Sequence, residues 1–269
     1  MRDWQLLQRA LAREPAVLVT VDRVEGSGPR EVGAWMAVTS DRLFATIGGG
    51  QLEFEGISQA RAALAAGVVA EPLRRYALGP SLGQCCGGVL HLRYELLGSI
   101  DIAGLRARLA QEDGLMPVAL FGGGHVGRAI ISLLGRLPAR VLWVDSRDEI
   151  FPAELPDNVG AEHSDPVQAA VQDLAPGSQV LIMSFSHAED LDVVAACLER
   201  QRERGDLPYV GLIGSKSKWA SFRQRLLARG FSEAELAHVI SPIGVPGITG
   251  KQPEVIAVAV VAQLLQGWG

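Results

Sequence analysis

The chain has 269 residues, of which 48% are hydrophobic and 20% charged. This length fits one large domain or two modest ones, and the hydrophobic fraction is high enough to form a buried core. The composition excludes a mainly disordered chain. Its formal net charge of −5 predicts no nucleic-acid partner. The longest apolar stretch, 255–262, is too short to span a membrane, and residues 1–5 lack the apolar run of a signal peptide, so we expect a cytoplasmic protein without a membrane partner.

Residues 1–98 predict a small mixed α/β domain, in which glycine-rich turns separate short apolar runs. Helical periodicity indicates helices at 3–13 and 51–66. Short apolar runs bounded by turn residues predict strands at 16–24, 35–39, 43–47, 73–78 and 89–96. The turn at 26–30 ends with Arg30, which we expect to point outward and to offer a positive contact to a ligand.

Two adjacent cysteines, Cys85 and Cys86, lie among glycines in the loop 79–88. The chain has only three cysteines, too few for a disulfide scaffold, and no pair has the spacing of a structural zinc site. Thiolate is a soft ligand suited to molybdenum, copper or sulfur transfer. Cys85 and Cys86 are therefore candidate cofactor and metal ligands, while a sulfur relay and simple packing remain open. Cys197 lies on an apolar helical stripe, which predicts a buried, inert thiol.

Residues 116–269 predict a Rossmann-like parallel-sheet domain, joined to the first domain by a connecting helix at 99–115. Apolar strands alternate with helical segments, which is typical of a parallel sheet with right-handed crossovers. The predicted strands lie at 117–121, 140–144, 179–184 and 209–213. An apolar final helix at 253–266 can pack on this sheet or against a second copy; we expect the sheet, and the sequence leaves a homodimer open.

A glycine fingerprint lies between the first strand and first helix of this domain. Gly122, Gly124 and Gly127 have the spacing in which the first glycine makes a tight turn, the second lets a phosphate approach the backbone and the third lets helix and strand pack closely. The amides at the start of the helix, next to His125, would face an anion. Asp145 ends the next strand and can accept hydrogen bonds from a sugar diol. We predict that these five residues bind a cofactor.

The fingerprint alone does not establish NAD chemistry, because one fold hosts many ligands. The second half shows no hydride-transfer pair such as Tyr-x-x-x-Lys, so we expect that NAD is not the cofactor. Polar side chains at the other strand ends would suit a phosphorylated, polar ligand; they lie at 146–147, 184–187 and 214–216. An NAD-dependent oxidoreductase remains the alternative function, and a redox-sensing or metal-sensing module built on the two thiols is a further one.

Eight short segments carry a resemblance to a known family. In the first half they are GSGPR (26–30), GAWM (33–36), IGGGQLE (47–53) and QCCGG (84–88). In the second half they are FGGGHVG (121–127), VDSR (144–147), GLIGS (211–215) and SPIG (241–244). Together these segments resemble the XdhC/CoxI family, the accessory proteins of xanthine dehydrogenase and related molybdenum hydroxylases. The resemblance covers nearly the whole chain.

The resemblance implies a chaperone rather than an enzyme. Such a protein would bind the molybdenum cofactor (molybdopterin) as cargo, protect it and insert it into apo xanthine dehydrogenase, in the molybdenum subunit. A cysteine desulfurase that supplies the terminal sulfido ligand would be a second partner. The resemblance leaves open which hydroxylase is served and whether the cargo is the pterin or its dinucleotide form.

Overall fold

The computed structural model of the protein describes residues 2–78, 88–98, 104–105 and 115–268. The chain divides into two compact units, Met1–Gln111 and Glu112–Gly269, and this division falls within the predicted connector 99–115. Most of that connector lies outside the described residues, so its helical structure and the boundaries at 98 and 116 stay predictions. Cys85 and Cys86 also lie outside the described residues.

The described part of the first unit contains a five-stranded antiparallel sheet and two helices of at least ten residues. Its elements in chain order are α1 (Arg2–Leu11), β1 (Ala16–Glu25), β2 (Trp35–Val38), β3 (Leu43–Ala45), α2 (Gly50–Ala66), β4 (Leu73–Ala77) and β5 (Val89–Leu97). The strand order is β3-β2-β1-β5-β4. The predicted mixed α/β class is confirmed, and each of these elements agrees with its predicted range to within two residues at either end.

The central strand β1 is buried on both of its faces. Successive side chains of a strand point to opposite faces. Val17 and Val19 pack in one apolar cluster with Leu52 of α2, whereas Leu18 packs in another with Leu7 of α1. Since a helix covers each face, β1 begins with four consecutive buried residues rather than with an alternating pattern.

The described part of the second unit contains a six-stranded sheet in which every pairing is parallel. Its elements are β6 (Met116–Phe121), α3 (His125–Leu134), β7 (Ala139–Asp145), β8 (Val159–His163), β9 (Gln179–Ile182), α4 (His187–Arg204), β10 (Tyr209–Leu212), α5 (Lys216–Ala228), α6 (Glu233–Leu236), β11 (Val239–Ile240) and α7 (Pro253–Gln266). The strand order β11-β10-β9-β6-β7-β8 is that of dinucleotide-binding sheets. The predicted Rossmann-like class is confirmed.

The two outermost strands, β8 and β11, were missing from the prediction. Strand β8 buries only its first residue, Val159, and β11 has only two residues. Edge strands of this kind carry too few apolar residues to give a period-two signal. Pairing with β7 and β10 in the folded sheet, rather than local pattern, defines both of them.

Helices cover both faces of the parallel sheet. Along β6, Val118 and Leu120 pack in one cluster with α3 and α7, whereas Ala119 and Phe121 pack in another with α4 and α5. The final helix α7 therefore packs on the sheet, as expected from its apolar sequence. Within the described ranges, no helix combines the length and the apolar character needed to cross a membrane.

Candidate ligand site

The carboxyl ends of β6, β7 and β9 meet at the point where the strand order reverses. Strand β6 lies between β7 and β9, and the helices that follow β6 and β9 cover opposite faces of the sheet. In open parallel sheets, ligands bind beyond the carboxyl ends of the strands at such a reversal. This edge is therefore the candidate site of the second unit.

The three fingerprint glycines have different environments. Gly122 has φ +124°, and a Cβ atom added to it would lie 2.0 Å from the carbonyl oxygen of Met183. A Cβ atom on Gly127 would lie 2.1 Å from the carbonyl oxygen of Gly122. Gly124, the residue before α3, has nothing within 4 Å of an added Cβ atom. Gly122 and Gly127 are thus needed for close packing, whereas the backbone at Gly124 is open to an approaching group.

A fourth glycine, Gly123, joins the loop to the end of β7. Its amide donates a hydrogen bond of 2.6 Å to Oδ2 of Asp145, and its carbonyl oxygen accepts one from Arg128 Nε at 3.2 Å. A Cβ atom on Gly123 would lie 2.5 Å from Cγ1 of Ile150. The glycine fingerprint allows any residue at position 123, so Gly123 was not included among the predicted site residues. The three consecutive glycines at 122–124 were the sequence feature that could have indicated it.

Each carboxylate oxygen of Asp145 accepts two hydrogen bonds from groups of the protein itself. Its side chain is 1% exposed. Oδ1 accepts hydrogen bonds from the backbone amide and from Nε of Arg147, at 2.9 and 2.8 Å, and Oδ2 accepts from the Gly123 amide and from Arg147 Nη2, at 2.6 and 2.9 Å. Burial raises the pKa of Asp145, but the hydrogen bonds from Arg147 and the two backbone amides outweigh burial and lower it below the ordinary value. The predicted contact with a sugar diol stays a prediction, and the Arg147 side chain donates one hydrogen bond to each carboxylate oxygen.

Side chains after β7 also contact residues after β9, across the end of β6. The guanidinium carbon of Arg147 lies 4.4 Å from the ring centroid of Phe185, which is itself 64% exposed. Ser146 donates a hydrogen bond of 2.9 Å to Oε1 of Glu189, and the amide of Phe185 donates one of 3.1 Å to Oε2 of the same residue. These contacts fix the position of Arg147 relative to the glycine loop.

A buried ion pair joins the ends of β9 and β10. Asp190 accepts a hydrogen bond from the amide of Ser184 at 2.7 Å and pairs with Nζ of Lys218 at 2.6 Å. Lys218 also donates to the carbonyl oxygen of Ile213 at 2.9 Å. Among the expected polar residues, Ser186 and Ser215 cap α4 and α5. Lys218 was missed because it lies inside α5, six residues beyond the end of β10.

His125 and Arg30 belong to different units and have different surroundings. His125 is exposed as the first residue of α3. Arg30 donates to Glu31 at 2.8 and 3.1 Å and to the carbonyl oxygen of Thr46 at 3.2 Å, so it links the turn at 26–30 to the loop after β3. The hydrogen bonds from Arg30 to the Glu31 carboxylate are the main cause that lowers the pKa of Glu31 to about 2. Ligand contacts of His125 and Arg30 stay predictions.

The turn at 26–30 also lies beside Gly88, one of the two described residues that flank the cysteine segment. The amide of Leu78 donates a hydrogen bond of 2.8 Å to the carbonyl oxygen of Gly88. A Cβ atom on Gly88 would lie 2.2 Å from the carbonyl oxygen of Ser27. Cys85 and Cys86 themselves are outside the described residues, and the part of the chain that the structure describes holds no group of three or more metal-ligating side chains.

The third cysteine has the inert environment expected from its sequence position. Cys197 is fully buried in α4, and burial raises the pKa of its thiol to about 12. A thiol with so high a pKa stays protonated and unreactive near neutral pH.

An antiparallel first unit followed by a Rossmann unit with this glycine loop defines a two-part α/β protein, and comparison with family models identifies its class. Residues 118–264 match the XdhC Rossmann domain, and residues 10–77 match the XdhC and CoxI family. The first match alone spans more than half of the chain. The chain therefore belongs to the XdhC and CoxI family, and the resemblance found in its sequence is confirmed.

Comparisons with individual proteins gave one sequence relative and several solved structures. The protein YqeB of Escherichia coli K12 is 26% identical over 257 residues, which are 94% of this chain and 43% of YqeB, so the chain spans less than half the length of that relative. A crystal structure described as a xanthine dehydrogenase from Bacillus halodurans superposes with a TM-score of 0.69 at 20% identity, covering 99% of this chain and 95% of that one. A Rossmann-fold NAD(P)-binding family protein from Shigella flexneri gives a TM-score of 0.40 at 17% identity, over 56% of this chain and 87% of that one. At 20% identity, the Bacillus likeness shows the fold.

Proposed function

We propose that this protein is a cytoplasmic accessory protein of xanthine dehydrogenase maturation, which binds the molybdenum cofactor as cargo and inserts it into the apo-enzyme without a catalytic turnover of its own. The observation that carries the proposal is the double family match, in which the first unit and the Rossmann unit of one chain both match models of the XdhC and CoxI family. The cargo is the molybdopterin cofactor, and the acceptor is the molybdenum subunit.

The glycine loop supports the phosphate end of this proposal. Molybdopterin carries a phosphate, and the first amides of α3 have no partner within their own helix. The backbone at Gly124 is open, and no acidic side chain lies in the first turn of α3. Gly124, His125 and the neighbouring amides are the groups that we assign to the phosphate.

The hydrogen bonds that Asp145 accepts within the protein argue against the alternative function, an NAD-dependent oxidoreductase. A dinucleotide-binding sheet uses an acid at this position to accept hydrogen bonds from the ribose. Here both carboxylate oxygens already accept two hydrogen bonds each. The proposal therefore includes no NAD cofactor.

The central experiment is isolation of the protein from cells that make the molybdenum cofactor. We expect an oxidised, fluorescent pterin to be released from the purified protein on denaturation, and we expect the loaded protein to restore activity to apo xanthine dehydrogenase. Dependence of that activity on a cysteine desulfurase would identify the second partner. A protein that holds no pterin and transfers none would contradict the proposal, and saturable NAD binding with turnover would support the oxidoreductase instead.

Substitution of Gly124 by aspartate tests the phosphate assignment without harming the fold. Nothing lies within 4 Å of a Cβ atom there, and aspartate is a preferred residue before a helix, so we expect unchanged or slightly higher stability. Its negative charge at the open loop should reduce pterin retention at least about tenfold, since a repelled phosphate loses more than 1.4 kcal/mol. Gly160→Asp is the matched control, because Gly160 lies on β8 with nothing within 4 Å and should leave retention unchanged. If the two variants retained the pterin equally well, the assignment of its phosphate to this loop would be wrong.

Substitution of the paired cysteines tests the metal end. We assign Cys85 and Cys86 to the molybdenum, so Cys85→Ala and Cys86→Ala are expected to lose the bound cofactor. Retention of the cofactor with delivery of only its desulfo form would assign a sulfur relay instead, and normal binding and delivery would leave packing as their role. Cys197→Ala is the control: it removes a buried, inert thiol, and it should retain the cofactor.

A further inference from the structure

We propose that Arg147 determines ligand specificity at the end of β7. Its side chain occupies the positions on Asp145 that a ribose diol would use, so this edge of the sheet rejects a nucleoside diol and accepts an anionic group. The inference goes beyond the proposed function, because it concerns discrimination against dinucleotides and requires no pterin.

The first step is the count of acceptor positions on Asp145. An ionised carboxylate has about four lone-pair sites, two on each oxygen. The backbone amides of Gly123 and Arg147 fill one site on each oxygen, and these donors are fixed by the loop. The side chain of Arg147 fills the remaining site on each oxygen, through Nε and Nη2. These last two sites are the pair that the two hydroxyls of a vicinal diol would need.

The second step is that this guanidinium is held in place. It forms a two-bond pair with the carboxylate, the geometry that gives arginine its specificity. Its face rests on the ring of Phe185, at 4.4 Å from the centroid. The backbone of Phe185 is tied in turn to Glu189, which also binds Ser146. A ribose would therefore have to displace a side chain anchored on two sides.

The third step concerns the N–H groups of Arg147 that remain available to a ligand. Its Nη1 has no hydrogen-bond acceptor among the described residues, and its side chain is 35% exposed. A guanidinium nitrogen with free N–H groups binds phosphate oxygens well. Arginine near this strand end is also the group that accepts a 2′-phosphate in dinucleotide-binding sheets. The pair thus presents donors to an anion and no acceptor to a diol.

The test is binding of ADP-ribose and of its 2′-phosphate, measured by calorimetry on the full chain. The wild type should bind the 2′-phosphate at least about tenfold more tightly than ADP-ribose. Arg147→Ala should bind ADP-ribose at least about tenfold more tightly than the wild type, because one acceptor site on each oxygen becomes free. Arg140→Ala is the control: it removes the same charge from the opposite end of β7 and should leave both affinities unchanged.

Equal binding of ADP-ribose by the wild type and Arg147→Ala, whether tight or undetectable, would overturn the inference. If Arg147→Ala fails to fold, Arg147→Lys replaces it: a lysine cannot cover both oxygens, so ADP-ribose affinity should still rise, and no rise would overturn the inference. These readouts involve no pterin. Loss of the proposed chaperone function would therefore leave the ADP-ribose comparison intact, and the reverse also holds.

Discussion

Gly127→Ala should destabilise the second unit by about 2–3 kcal/mol, although alanine is the better helix former. Gly127 lies in α3, where helix propensity alone would favour alanine by about 1 kcal/mol. An added Cβ atom would lie 2.1 Å from the carbonyl oxygen of Gly122, a backbone atom that cannot rotate away. The helix would have to move off the glycine loop. Urea-induced unfolding of the purified variant measures the loss.

Gly124→Ala is the matched control for this prediction. It introduces the same methyl group three residues earlier, at a φ of −69° and with nothing within 4 Å. We expect its unfolding free energy to lie within about 0.5 kcal/mol of the wild type. A Gly127→Ala protein as stable as this control would contradict the close approach of α3 to the loop.

Arg200→Met should lower the free energy of unfolding by about 3–5 kcal/mol, a large loss for the substitution of one charged residue. Arg200 lies in α4 with its side chain 0% exposed. It donates to the carbonyl oxygens of Val171, Gln172 and Leu174, and it pairs through two nitrogens with Asp206. Its removal leaves buried carbonyl groups without their donors, and methionine fills the volume but offers no N–H.

The control is Arg229→Met, which breaks an ion pair with Asp192 whose side chains are 42% and 39% exposed. Exposed pairs contribute less than about 1 kcal/mol, because water and salt screen them. Thermal and urea unfolding should therefore separate the two variants clearly. Similar losses in both would mean that Arg200 is not a buried donor to those carbonyl groups.

The loss at Arg200 should also depend on pH. Hydrogen bonds from Arg200 lower the pKa of Asp206 below its ordinary value, because they favour the ionised form. A lowered pKa in the folded state gives stability that is complete above the ordinary pKa, about 4, and is lost as the pH falls through the lowered value. The difference in unfolding free energy between the wild type and Arg200→Met should narrow as the pH falls below about 4.

The sequence predicted the loops, helices and strands whose structure depends mainly on interactions between residues close together in the chain. The spacing of Gly122, Gly124 and Gly127 follows from sterics within a single strand-turn-helix, so the sequence located the loop and the helix after it. Short apolar runs bounded by turn residues located all five strands of the first sheet and the four inner strands of the second. Strands β8 and β11 exist only through pairing with a neighbour, and nothing in their own residues indicates them.

The contacts at the candidate site could not be predicted in the same way. Asp145 was expected to bind a ligand, and in the structure Arg147 donates hydrogen bonds to both of its oxygens while the Gly123 amide donates one to Oδ2. That outcome depends on the direction of one arginine side chain, which a sequence does not specify. The pair of Asp190 with Lys218 joins residues 28 positions apart, so only the folded sheet brings them together.

The packing of α7 has a consequence for how the protein is made. The last helix packs in the same apolar cluster as α3 and the inner strands. That half of the second unit's core therefore stays incompletely covered until residues 253–266 have left the ribosome. The described core of the first unit uses only residues before 106 and can close much earlier. During synthesis the nascent second unit therefore exposes an apolar sheet face for more than a hundred residues of elongation, and chaperones that shield such surfaces have their opportunity in that interval.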